Sequence, residues 1–194
     1  MNQSRLNCIF AAIDQKNQQD PNLLPVDDKT VPKEHLYAVR MSECLQQFKP
    51  DASENLQIAC RAQHIQRWKI ARTDYPMNRV GYRRWRTELG RFHAETTAEL
   101  MGECGYPEAD RIKVMDILQK KRIKQDAETQ TMEDVACLVF LQHYLDDFAR
   151  RHPDDKVVDI IRKTWQKMSA EGHAAALQTK LPDHLAKLVQ QALA

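Results

Sequence analysis

The chain has 194 residues, with 29 Lys and Arg against 27 Asp and Glu, a formal charge of +2. A near-neutral balance excludes a general polyanion binder, and five glycines and eight prolines exclude collagen-like and low-complexity architectures. No stretch approaches the roughly 20 apolar residues that span a bilayer, so no membrane partner is expected.

Helical periodicity runs through almost the whole chain. Leu6, Ile9, Phe10 and Ile13 follow the i, i+3, i+4, i+7 pattern of a first helix. Asp20 to Pro32 holds three prolines and Asp27-Asp28 and reads as a loop. A second helix is expected from Lys33 to Phe48, stopped by Lys49-Pro50, and Asp51 or Ser53 can cap the third. That third helix carries Leu56, Ile58, Ala59, Ala62, His64, Ile65 and Trp68 and is apolar around much of its circumference, the mark of a central helix.

Ala71 to Gly81 reads as a loop, followed by a fourth helix from Tyr82 to Met101 and a fifth over Ala109–Lys121. A sixth, Ala127–Arg150, contains the apolar run Val135 to Leu141. The run could form a strand, but Met132, Val135, Ala136, Val139, Phe140 and Tyr144 fit one helical face. Helices near Asp155–Met168, Ala170–Thr179 and Pro182–Leu193 finish the chain. The expectation is an all-α fold, a single compact multi-helix domain over 1–194. The five cysteines are odd in number and show no CxxC pair, so they read as buried thiols of a cytoplasmic, reducing compartment.

Charge is concentrated. Between Arg61 and Arg91 nine basic residues face only Asp74 and Glu88, a net +7, while the remaining residues sum to −5. Eight of the nine are arginines, suited to bidentate capture of phosphate or carboxylate. Arg67, Arg72, Arg83 and Arg86, with Gln63, are candidate contacts for a small anionic or phosphorylated ligand, and Tyr75 and Trp85 are candidate stacking platforms. Each arginine alone reads first as a surface ion-pair partner, and only the cluster as a whole points to a ligand. The neutral chain, without Lys-rich arms, argues against RNA.

His64, His93 and Asp134 lie on different predicted helices flanked by apolar positions and are the right chemical types for a divalent metal. Their separations of 29 and 41 residues form no local motif, and from type and position alone the same residues read first as hydrogen-bonded core or boundary groups. Asp14, Asn17 and Asp20 line one side of the end of the first helix and read first as helix-end and loop hydrogen-bonding groups.

The segment Ile58 to Trp68, with His93-Ala94-Glu95, Ala98, Leu100 and Gly105, then Val114, Ile117 and Leu118, and finally Asp126, Gln130, Asp134 and Leu138, resembles in order the HD superfamily of metal-dependent phosphohydrolases. The HD-like core would cover about 34–150, with C-terminal helices over 154–194. The dyad position reads Gln63-His64 rather than His-Asp, and the upstream histidine falls near Tyr37 or Arg40. The resemblance implies a divalent ion (Mn, Fe, Mg or Zn) on His64, His93 and Asp134, Glu133 or Glu95 as general base, and Lys120 or Lys121 assisting the leaving oxygen. The substrate would be a nucleotide or another small phosphorylated metabolite. The alternative is a non-catalytic, regulatory module that binds an anion on a degenerate scaffold. Over its full length the chain also resembles a family of unknown function, through Asp20-Pro21, QHIQRW, Tyr75-Pro76, GYRRWR, EDVACLVFL and Lys163-Thr164-Trp165. Nothing in the sequence fixes an oligomeric state.

Overall fold

The computed structural model describes residues 2–193. Among them the fold is mostly α, with ten α-helices and one two-stranded hairpin. The chain forms two compact units, 1–129 and 130–194.

The first unit begins with α1 (Asn2–Asn17), which buries Ile9 and Ile13. The segment expected to be a loop contains a hairpin instead. β1 (Leu23–Val26) pairs antiparallel with β2 (Lys29–Pro32), with Leu24 opposite Val31. Its prolines sit at Pro25 and at the strand end, which a two-edged ribbon tolerates. Asp27 in the turn takes the left-handed φ of 52° that short hairpin loops need.

Helix α2 (Lys33–Phe48) follows directly and buries Ala38, Met41, Cys44 and Leu45. Of the two candidate caps for α3 (Glu54–Ala62), Ser53 is the one used: its side chain accepts from Leu56 N. This helix is shorter than its apolar pattern predicts. It ends at Ala62, and residues 63–66 form a turn in which Gln66 has a left-handed φ of 49°. A single 3-10 turn, Arg67–Lys69, follows. His64 therefore stands on a turn, not on a central helix.

The long α4 (Arg79–Glu103) starts at Asn78, whose side chain accepts from Gly81 N at 2.8 Å. Gly81 is required here, because a Cβ would collide with the carbonyl of Pro76. α5 (Glu108–Leu118) packs along α4 and against α3, while α1 crosses α2, α3 and α4. Met41, Leu45, Ile58, Ile65, Leu89, Met101 and Ile117 fill the core of this unit.

The apolar run Val135–Leu141 is helical, within α6 (Ala127–His143), which runs across the boundary between the units. The helix expected to continue to Arg150 breaks at Tyr144, which leaves helical geometry at φ −128°, and α7 (Leu145–Arg150) resumes. α8 (Asp154–Trp165), α9 (Ala170–Leu177) and α10 (Asp183–Leu193) complete the second unit, with α8 packed on α10.

Two cysteines depart from the expectation of five buried thiols. Cys8 on α1 and Cys104 just after α4 form a disulfide, their Cα atoms 5.9 Å apart and 96 residues apart in sequence. Helix packing brings the pair together, so no local spacing announces it. Cys44, Cys60 and Cys137 are buried and take no part in a disulfide. Among the described residues no helix is long and apolar enough to cross a membrane.

Candidate functional site

A cavity of about 340 Å³ opens in the first unit where the turn after α3, the middle of α4 and the end of α5 meet. Gln63, His64, Arg67, Arg86, Arg91, His93 and Lys120 bring its polar groups, and Leu89 and Leu118 its apolar wall. Six of the residues singled out from sequence thus share one pocket: Gln63, His64, Arg67, Arg86, His93 and Lys120.

The hydrogen bonds fix the state of both histidines. Arg67 Nη1 lies 2.8 Å from His64 Nε2. A guanidinium only donates, so Nε2 carries the lone pair and Nδ1 the hydrogen. Nδ1 lies 3.1 Å from Glu34 Oε2, which accepts that hydrogen. His93 Nδ1 lies 2.8 Å from the carbonyl of Ile65, which can only accept, so the hydrogen is on Nδ1 there too. His93 Nε2 is buried and has no partner.

Electrostatics agree with neutral rings. Burial first, then the cations Arg67, Arg86, Lys120 and Lys33, hold His64 well below the ordinary histidine range. Burial, then His64, Arg67 and Arg86, do the same for His93, and its bond to Ile65 only partly opposes them. Burial pushes the Glu34 carboxyl up, with Arg67 and Lys33 pulling it back.

The parts are held from outside the cavity. Tyr37 stacks on His64 with centroids 3.9 Å apart, and its hydroxyl donates to Gln63 Oε1 at 2.6 Å. Arg67 lies over the ring of Trp85 at 4.9 Å, and Trp85 Nε1 donates to the carbonyl of Ile70. Asn17 Oδ1 accepts from Gln66 N and pins the left-handed residue between His64 and Arg67. Asp20 Oδ2 accepts from Glu34 N, setting the first turn of α2, and Asp14 holds Arg61 with both oxygens, at 2.9 and 2.6 Å. The helix-end and loop reading matches the bonds of Asn17 and Asp20, whereas Asp14 instead pairs with Arg61 of α3.

Other candidates are occupied elsewhere. Arg72 donates to the carbonyls of Tyr75, Pro76 and Asn78 and shapes that loop rather than a ligand site. Tyr75 donates its hydroxyl to Glu88. Trp85 is 8% exposed and is the seat of Arg67, not an open platform for a base. Arg83 is exposed on α4. Glu95 is exposed beside Arg91 at 3.8 Å, and Lys121 pairs with Asp116 at 2.8 Å. Glu133 and Asp134 are buried on α6. Asp134 belongs to the second unit, where it accepts from Ser169 N, Ser169 Oγ and Gln130 Nε2 at 2.8, 2.6 and 3.0 Å.

The donor set does not fit a divalent ion. Both nitrogens of His64 and one of His93 are committed, Asp134 is hydrogen-bonded at the start of α9, and the cavity is lined by cations. Among the described residues no group of three or more His, Cys, Asp or Glu side chains is placed to hold a metal ion.

Sequence reasoning missed Glu34. Its signal was present: Glu34, Ala38, Met41 and Leu45 fall on one helical face, and a carboxylate at a core position needs a partner.

Comparison with curated proteins and with solved structures gives no match. A family model described as a domain of unknown function, DUF4202, matches residues 7–189. The chain belongs to the DUF4202 family.

Proposed function

We propose that the first unit binds a small phosphate-bearing molecule in the cavity between the turn after α3, α4 and α5, without a metal ion. One observation carries this reading: Arg67, Arg86 and Lys120 converge on a pocket whose two histidines are neutral. Such a wall is rich in positive donors and poor in negative charge, which favours an anion and opposes a cation. The metal-dependent hydrolysis implied by the HD resemblance has no support in the donor set, so the proposal is a binding function.

Isothermal titration calorimetry with inorganic phosphate and with a nucleoside monophosphate tests it. Saturable binding that Arg86→Ala weakens is expected. Absence of binding to either at millimolar concentration would overturn the proposal.

A further inference from the structure

The cavity contains an acceptor that its cations do not explain. Resting on the phosphate-binding reading above, we propose that the pocket selects a phosphate group that still carries a P–O–H, and that His93 Nε2 accepts its hydrogen.

His93 is 4% exposed, and its Nδ1–H is spent on the carbonyl of Ile65, which fixes which nitrogen bears the lone pair. That lone pair, on Nε2, is buried without a hydrogen-bond partner. His93 is one of the residues that line the cavity, together with Arg67, Arg86 and Lys120. The three cations can only donate. Gln63 already uses its carbonyl oxygen to accept from Tyr37. A buried acceptor without a partner is costly, and a ligand that brings a donor relieves that cost.

Among small tetrahedral oxyanions this requirement is discriminating. Sulfate near neutral pH has only acceptor oxygens, and one of them against Nε2 sets lone pair against lone pair. Hydrogen phosphate offers acceptor oxygens to the arginines and one O–H to the imidazole. A phosphate monoester has lost its last proton above about pH 6 and offers no such donor. Charge alone gives sulfate no disadvantage, so a preference for phosphate reports the acceptor.

The test is calorimetric titration of the full chain at pH 7.5 with inorganic phosphate, sulfate and methyl phosphate. Phosphate is expected to bind at least about tenfold more tightly than the other two, the scale of one unmade buried hydrogen bond. His93→Phe removes the acceptor and is expected to bring the phosphate-to-sulfate ratio close to one. If that variant does not fold, His93→Leu serves, because its side chain also carries no acceptor and is expected to lower the ratio in the same way. Sulfate or methyl phosphate binding as tightly as phosphate to the unaltered protein would overturn this inference and leave the anion pocket standing. Binding of none of the three would overturn the pocket itself. A preference that persists in the folded His93 variant would remove His93 as the discriminating group.

Discussion

Arg67 Nη1 stands 2.8 Å from His64 Nε2, so an arginine inside the pocket donates to an imidazole that must be neutral. The contact links the two chemistries the sequence presents side by side, the arginine-rich segment and the candidate histidines. It converts His64 from a candidate metal ligand into a support for a cation. Glu34 holds the far side of the same ring, and Tyr37 stacks on its face.

Replacing Arg67 by Met removes one wall cation and a charge that depresses His64. Phosphate affinity is expected to fall about 10- to 100-fold, the scale of a lost charge-assisted hydrogen bond. The His64 titration is expected to move up, since Arg67 is among the charges lowering it. Calorimetry and NMR titration of the imidazole read the two effects separately.

Arg83 and Arg86 lie one helical turn apart on α4, and only Arg86 lines the cavity. Arg86→Ala is expected to weaken phosphate binding about tenfold or more, and Arg83→Ala to leave it within twofold. Equal losses at both positions would mean a diffuse charged surface instead of a pocket.

Acid destabilises this fold through its histidines. His64 and His93 titrate well below the ordinary value when folded, so below about pH 6.5 the unfolded chain takes up protons that the folded chain refuses. Their stability contribution is complete above that pH and falls by about 1.4 kcal/mol per pH unit for each ring below it. Glu34, raised by burial, acts in the opposite sense: its contribution is present below the ordinary glutamate value and is lost as pH rises through its folded value. Urea denaturation at pH 7.5 and 5.5 measures the difference. A folded His93→Gln chain is expected to lose about one proton's worth of the slope.

Asp134 is expected to matter for folding of the second unit. Asp134→Ala strips the acceptor from Ser169 N and Oγ at the start of α9, a loss of about 2–3 kcal/mol. Gly172→Ala should also be destabilising, because a Cβ there would stand 2.7 Å from Asp134 Oδ1. Denaturant midpoints of the two variants provide the check.

The Cys8–Cys104 bond closes most of the first unit into a loop of 96 residues. Reduction is expected to lower stability by about 2–4 kcal/mol. Cys8→Ser should show the same loss with or without reductant, and an unchanged midpoint on reduction of the unaltered protein would contradict the prediction.

The helices were legible where burial repeats with the helical period. Leu6, Ile9, Phe10 and Ile13 mark α1, and the run from Val135 to Leu141 resolves as helix because its neighbours share a face. The pattern fails where tertiary contacts override it. Ile65 and Trp68 continue the apolar rhythm of α3, yet the chain turns at Gln66, held by Asn17 from another helix 49 residues away. Tyr144 keeps the phase of α6 while its backbone leaves the helix.

The arginine-rich segment was visible as a +7 block, but sequence could not divide it. Residue type and local charge determined that an all-α chain would carry a block of arginines near two apolar-flanked histidines. Only the packing of α1, α2, α4 and α5 decided which cations face the cavity. It gave Arg61 to Asp14 and Arg72 to loop carbonyls, and left Arg67 and Arg86 on the pocket wall. The reason is physical: a hydrogen bond is chosen by distance and direction in space, and partners such as Glu34 and His64, 30 residues apart, have no spacing a sequence can display.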